Sequence, residues 1–145
     1  MSEHHQESFW TKYIFSQDHK WIGIQYGVTA LFFMLFGFAL MIVMRYQMVH
    51  LGTISPDMYN SFGAMHGTIM VFLGVVPVIV GAYGNYLVPL QIGAPDMAFP
   101  KLNMASYWSY FIGGVLMLAG FALPGGAANS GWTSYPPLAD IATTG

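Results

Sequence analysis

One histidine in an apolar stretch of this 145-residue sequence points most directly to chemistry. His66 lies in the segment 60–90, which contains no Asp, Glu, Lys or Arg. An imidazole inside a bilayer costs free energy unless something binds it, so it marks a candidate functional site. One imidazole cannot form a zinc site, but it can supply one axial ligand to a haem iron. The alternative is a hydrogen bond to a neighbouring helix.

A second candidate site lies at the other end of the same stretch. Asp96 follows it, and Asn85 and Asn103 flank this acid in the sequence. Amides along a membrane interior can hold water, and a carboxylate can collect protons into that water. An acid in this position can equally be a solvated loop residue or a helix cap, and the spacing does not decide between the two.

Three other side chains could contact a group bound at His66. Arg45 follows the first apolar stretch, where it could reach lipid headgroups or a haem substituent. Trp132 and Tyr135 lie in the segment 131–137 and could form an interfacial aromatic belt or donate hydrogen bonds to haem propionates. The remaining histidines lie in polar segments or loops and are expected to be solvated: His4, His5, His19 and His50.

The composition is that of a membrane protein. Hydrophobic residues make up 55% of the chain and charged residues 7%, and the mean hydropathy is +0.52. The net charge of −2, without a basic run, argues against nucleic acid binding. There is no cysteine, so disulfides and thiolate metal sites are excluded and histidine is the main candidate ligand. The polar N-terminus lacks a signal-peptide pattern and is expected to stay in the mature protein.

Three apolar stretches predict three transmembrane helices. The first, 21–44, would be about 36 Å long at ~1.5 Å per residue, which exceeds the ~30 Å hydrocarbon core. Pro77 in the second stretch is expected to bend that helix and not to break it. The predicted segments are an N-terminal segment 1–20, helix one 21–44, an outer loop 45–59, helix two 60–90, an inner loop 91–103, helix three 104–123 and an outer loop 124–145.

The fixed positive charges predict the orientation. Lys12, Lys20 and Lys101 lie on one side of the predicted membrane, whereas Arg45 lies on the other. Because positive charge is enriched on the cytoplasmic side, the N-terminus is expected to be cytoplasmic. This places Arg45 and His66 together near the outer face and Asp96 at the inner face.

Glycines recur on one side of the second predicted helix, at positions 63, 67, 74 and 81. Small residues at such spacing are typical of close helix packing in membranes. The same smooth surface could instead leave room for a flat macrocycle beside His66. Both interpretations can hold on one helix.

Three strings of residues resemble subunit I of the haem-copper oxidases: 65–70 (MHGTIM), 84–103 (GNYLVPLQIGAPDMAFPKLN) and 132–139 (WTSYPPLA). The resemblance begins near 18–23 (DHKWIG) and runs to about Asp140. It implies that His66 is one of two axial ligands of the low-spin haem, expected to be haem a. It also implies that Arg45 contacts that haem's ring substituent and that Trp132 and Tyr135 lie near its propionates.

The resemblance also implies a proton pathway. Asp96 matches the acid at the entrance of the family's D pathway, and Asn85 and Asn103 match the asparagines above it. The whole subunit would reduce dioxygen to water with electrons from cytochrome c and would pump protons. The expected partners are the remaining helices of subunit I, other oxidase subunits, cytochrome c or an attached cytochrome domain, and membrane lipid. A bacterial plasma membrane is the expected location.

The sequence departs from the family pattern at several positions. Lys101 replaces the usual arginine, which keeps the charge and loses the bidentate fork. Gln47 replaces a carboxylate that helps many members to bind calcium or sodium, so that cation site is in doubt. Quinol-oxidising relatives have an arginine and an aspartate where this chain has Phe36 and Leu40, and a histidine and a glutamine where it has Met58 and Ser61. A cytochrome c oxidase is therefore favoured over a quinol oxidase.

Length is the largest departure, because subunit I has about twelve helices and this chain predicts three. No histidine follows His66, so copper and the high-spin haem are expected only in the remainder of the subunit. The expected fold is an all-α integral membrane bundle that is part of a larger subunit. The chain could be a fragment, one piece of a split subunit or a shortened relative. Two other functions stay open: a non-catalytic scaffold or assembly partner, and a shortened haem-binding electron-transfer protein.

Overall fold

Three long helices dominate the fold. The computed structural model describes residues 8–137 and 139, and within these residues the secondary structure is helical, with no strand. The long helices are His19–Val49, Pro56–Ile92 and Pro100–Ala122, here called the first, second and third helix. Each is long and apolar enough to cross a membrane, so the predicted all-α architecture with three spans is confirmed. His4 and His5 lie outside the described residues, as do the extreme ends of the predicted terminal segments.

Capping residues set the beginnings of the first two helices. The side chain of Asp18 accepts a hydrogen bond of 2.8 Å from the backbone N–H of Lys20, so the first helix starts before its apolar stretch. Ser55 accepts from the N–H of Met58 at 3.2 Å, with Pro56 in the first turn. Both helices therefore extend into the polar sequence beyond the predicted spans.

The helix ends shorten the loops between the spans. The first helix continues to Val49, so Arg45 lies in its last turns and not in a loop. Gly93, with φ of +72°, ends the second helix in the left-handed conformation that glycine adopts without strain. Pro100 opens the third helix, which places Asn103 inside its first turn. Asp96 remains in the short connection between the second and third helices.

The second helix passes through Pro77 without a break. Its backbone is wound as a π-helix over Ile69–Val75 and again over Pro77–Tyr83, with Val76 between them in helical conformation. A proline at this depth is tolerated only where the freed backbone groups find other partners. The expectation that Pro77 would not end the helix is confirmed.

The first helix is the centre of the bundle. It packs along every part of the second helix and also against the third. Its buried residues recur every three or four positions, which gives one continuous face along the helix. The largest of them are Ile22, Tyr26, Phe33, Leu40 and Met44.

Candidate functional site

His66 lies on the second helix with one ring nitrogen fixed by the first helix. Its Nδ1 is 2.8 Å from the carbonyl oxygen of Gly37. Because a carbonyl oxygen only accepts, Nδ1 must carry the proton and donate it. The other ring nitrogen, Nε2, then carries the lone pair in the neutral imidazole. Histidines that bind metals are held in this way in proteins. The same bond is also the contact with a neighbouring helix that the alternative interpretation predicts.

The glycines of the second helix serve mainly for packing. A Cβ atom on Gly74 would lie 2.5 Å from Cγ of Met34, and one on Gly81 would lie 2.5 Å from Cδ1 of Tyr26. Side chains of the first helix therefore occupy the space beside both glycines, as the packing interpretation predicts. Gly67 differs, because a Cβ there would meet only the ring edge of a tryptophan, at 3.4 Å.

That tryptophan is Trp132, and it brings the outer connection next to His66. Its ring packs edge-on against Phe72 with centroids 5.5 Å apart, and it reaches Gly67, the neighbour of His66. The indole is half exposed. Tyr135 is exposed, three residues further along the connection. The structure thus places Trp132 on the His66 segment.

Arg45 lies near His66 along the axis of the bundle, but not at the same level. Met44 packs near Gly63, whereas His66 is bonded to Gly37. This antiparallel register places Arg45 about one helical turn nearer the outer end than His66. The Arg45 side chain is exposed.

The second candidate site is a cavity of about 530 Å³ beside the C-terminal half of the second helix, the half that is predicted to lie toward the inner face, and it is here called the inner cavity. All three helices and the inner connection contribute to it. The side chains that line it are Tyr26, Val76, Pro77, Val80, Asn85, Val88, Met97, Asn103, Ser106 and Tyr110, together with Gly81 and Gly84.

Both predicted asparagines line the inner cavity, and each has a buried polar atom left over. The Nδ2 group of Asn85 donates to the Gly81 carbonyl at 2.6 Å, but its Oδ1 has no partner in the described chain. Nδ2 of Asn103 is also buried without a hydrogen-bond partner in the described chain. A buried acceptor and a buried donor beside a cavity of this size fit ordered water, since unpaired buried polar groups are costly.

Asp96 lies at the margin of the inner cavity. Its Oδ1 accepts a hydrogen bond of 2.7 Å from the backbone N–H of Met97, and Met97 lines the cavity. The carboxylate is partly buried. The structure therefore brings Asn85 and Asn103 to one cavity although they are eighteen positions apart in the sequence, and Asp96 adjoins that cavity through its neighbour Met97.

Several side chains that line the inner cavity were not predicted from the sequence. The hydroxyls of Tyr26 and Ser106 lie 2.9 Å apart and join the first helix to the third, and Tyr110 donates to the carbonyl of Leu73 at 2.7 Å. No local pattern marks these residues, because their partners are 37 or more positions away. Only the packing of the three helices brings them together.

His19 was expected to be solvated, and this prediction is wrong. Its side chain is only 2% exposed, and its Nδ1 donates to the carbonyl oxygen of Asn85 at 2.8 Å. The capped start of the first helix turns His19 toward the second helix. It thereby fixes the backbone that carries one of the cavity's amides. His50, by contrast, is exposed, and its ring lies 4.5 Å from that of Tyr46.

Gln47 holds the outer loop. Its Oε1 accepts from the backbone N–H of Ile54 at 2.9 Å, and Thr53 donates to the His50 carbonyl at 2.6 Å. Within the part of the chain that the structure describes, no group of three His, Cys, Asp or Glu side chains could hold a metal ion. A haem iron needs only one ligand from this chain, so His66 remains the candidate.

These features define a multi-pass helical membrane protein with one oriented imidazole in the N-terminal half of the second helix and a polar cavity beside its C-terminal half. The family described as "Cytochrome C and Quinol oxidase polypeptide I" matches residues 21–144. The chain belongs to this family.

Curated relatives agree with the family assignment. The chain is 48% identical to cytochrome c oxidase subunit 1 of Thermostichus vulcanus over 99% of its length, which is 26% of that protein. It is 44% identical to the alternative cytochrome c oxidase subunit 1 of Bradyrhizobium diazoefficiens, over 97% of this chain and 24% of the relative. For the Synechocystis subunit 1 the values are 43%, 95% and 25%. The chain spans about a quarter of the length of these relatives.

Proposed function

We propose that this chain is the N-terminal part of a cytochrome c oxidase subunit I that binds the low-spin haem through His66 and forms the entrance of a proton pathway. The single observation that carries the haem proposal is the hydrogen bond from His66 Nδ1 to the Gly37 carbonyl. It leaves Nε2 as the ring atom with a free lone pair. When bound, the haem would supply a one-electron redox centre, whose potential the axial ligand and its hydrogen bond tune.

Other side chains of this chain would contact the haem periphery. Trp132, held against Gly67 and Phe72, carries an indole N–H that can donate to a propionate. Arg45, one turn outward, would add a positive field that favours the reduced haem. Tyr135, in the same connection as Trp132, would add a second donor. The second axial ligand, the high-spin haem and copper would come from the remainder of the subunit.

The inner cavity supports the proton pathway. Asp96 would take up protons at the inner face, and water held by Asn85 Oδ1 and Asn103 Nδ2 would carry them inward. Tyr26 and Ser106 add hydroxyls to the same wall. The pathway would serve the reduction of dioxygen and proton pumping by the complete subunit.

The electron donor is proposed to be cytochrome c or an attached cytochrome domain. Met58 and Ser61 stand where quinol-oxidising relatives carry a histidine and a glutamine. The Ser61 hydroxyl instead donates a hydrogen bond to the Ala127 carbonyl at 3.1 Å. The chain would work with the other oxidase subunits in a bacterial plasma membrane, with its N-terminus in the cytoplasm.

Removal of the imidazole tests the haem proposal. In the purified assembly that contains this chain, His66→Ala is expected to abolish the low-spin haem band in the reduced-minus-oxidised spectrum, because the iron loses a ligand. Extracted haem is quantified in parallel. His50→Ala is the matched control, because His50 is an exposed histidine at the end of the first helix, and its spectrum should be unchanged.

A second variant covers the case in which His66→Ala does not assemble. In His66→Met the thioether can replace the imidazole, which should retain the haem and raise its potential. An unchanged band in His66→Ala would exclude this ligand assignment. Absence of haem from the unmodified assembly would favour a scaffold, and low-spin haem without any high-spin haem would favour an electron-transfer protein.

A further inference from the structure

Pro77 leaves a backbone acceptor of the second helix without its usual donor. Proline has no N–H, so one carbonyl in the preceding part of the helix, which includes Leu73, receives no hydrogen bond from position 77. Leu73 is buried, with 6% of its surface exposed, and it lies at the level of the bundle core. In a membrane such a carbonyl must be satisfied from another part of the protein.

Tyr110 of the third helix supplies a side-chain donor to this part of the second helix. Its hydroxyl donates to the Leu73 carbonyl oxygen at 2.7 Å, the short distance typical of a well-formed O–H···O bond. Two rings of the first helix hold the phenol in place: Tyr26 is stacked on it with centroids 5.2 Å apart, and Phe33 meets it edge-on at 5.9 Å. Tyr110 is thus fixed by all three helices.

The same residue lines the deep end of the inner cavity. Tyr110 lies two turns beyond Asn103 on the third helix, and Leu73 lies three turns before Asn85 on the second, so the hydroxyl is farther from Asp96 than either amide. A phenol has a single proton, and here that proton is given to Leu73. Toward the cavity the oxygen can therefore only accept a hydrogen bond.

We propose that Tyr110 is a positioning residue of the proton pathway: its hydroxyl, held by the Leu73 carbonyl, orients the innermost cavity water with an O–H bond pointing away from Asp96. This orientation is the one that an inward relay requires, because each water must accept from the side of Asp96 and donate toward the interior. Tyr110 does not carry the proton itself. The inference rests on the proton pathway proposed above.

Tyr107 is a tyrosine on the third helix to which the proposed role of Tyr110 does not apply. It lies one turn before Tyr110, it is buried, and its hydroxyl is 3.1 Å from that of Thr29. It does not line the inner cavity. Tyr107→Phe therefore removes the same atom from the same helix, along with a buried hydrogen bond, but leaves the cavity water untouched.

The test compares Tyr110→Phe with Tyr107→Phe in the complete oxidase reconstituted in vesicles. The rate of proton uptake from the inner side is measured with a pH-sensitive dye, and haem content and the reduced-minus-oxidised spectrum are recorded. Tyr110→Phe is expected to slow uptake by roughly tenfold, which corresponds to about 1.4 kcal/mol, with haem content and spectrum unchanged. Tyr107→Phe should take up protons at the normal rate.

Equal rates of proton uptake in Tyr110→Phe and Tyr107→Phe would overturn the inference.

A parallel Asp96→Asn variant keeps the two proposals apart. If Asp96→Asn slows uptake and Tyr110→Phe behaves like Tyr107→Phe, the pathway stands and the role of Tyr110 is wrong. If Asp96→Asn leaves uptake normal, the pathway itself fails.

Discussion

His66 and Asp96 carry the proposed chemistry. Both residues could be identified from the sequence, whereas the groups that surround them could not. His66 and Asp96 could be singled out because an imidazole or a carboxylate in or beside an apolar stretch is costly without a role. Their settings could not be read, since Gly37 and Met97 contribute backbone groups that have no signature in side-chain type.

His19 illustrates the reverse error. A polar neighbourhood in the sequence suggested solvent, but the cap at Asp18 starts the helix early and carries the imidazole into the interface with the second helix. The burial of a residue near a helix end depends on the first turn as much as on hydropathy.

Asp96 is proposed to be the acid that takes up protons at the entrance of the pathway. Asp96→Asn removes the titratable group and keeps its size, and it is expected to slow proton uptake by roughly a hundredfold, the lower range of what a positioned acid–base group supplies. Haem content should not change. Uptake by reconstituted vesicles is the measurement, and Asp57→Asn, an exposed acid in the first turn of the second helix, is the control. Equal rates in the two variants would remove Asp96 from the path.

The three helices themselves follow from hydropathy, and the sequence predicts that each exists. It does not predict the ends well, because Asp18, Ser55 and Pro100 extend the helices into polar sequence. It also predicts a helix through Pro77 without the π winding on both sides, which depends on contacts with the first and third helices. Local patterns define the elements, whereas their neighbours define the irregularities.

Close packing between the first and second helices can be tested at one glycine. Gly81→Ala would place a Cβ 2.5 Å from the Tyr26 ring, which is already held by the Ser106 hydroxyl, so the helices must separate. We expect the assembly to lose about 1–3 kcal/mol, as overpacked sites do, and to denature at a lower temperature. Gly84→Ala, on the same helix with its nearest contact at 3.7 Å, should be near neutral. A similar melting temperature for both variants would contradict this packing.

At the scale of the whole molecule, the three spans cover about a quarter of the length of the oxidase subunits to which the chain is similar. The third helix has just 11% of its most apolar segment buried within the described bundle, against 28% for each of the other two. This low burial agrees with the sequence-based expectation of a larger bundle.

The orientation of the bundle stays a prediction that one labelling experiment can test. The chain contains no cysteine, so each substituted cysteine would be the only thiol in this chain. Leu51→Cys, in the outer loop and 85% exposed, should react with a membrane-impermeant maleimide in intact cells. Ile92→Cys, 73% exposed at the inner end of the second helix, should react only after the membrane is opened. The reverse labelling pattern would place the N-terminus outside.

The partner of the His66 imidazole is a main-chain carbonyl, and this affects how the site can vary between generations. No single codon change can delete the Gly37 oxygen, because every amino acid carries one. A side chain at position 37 would meet Sδ of Met70 at 2.9 Å, so most replacements would move the oxygen by pushing the helices apart. Substitutions at position 37 would thus weaken the hydrogen bond by displacing the carbonyl oxygen, whereas none of them would remove the acceptor itself.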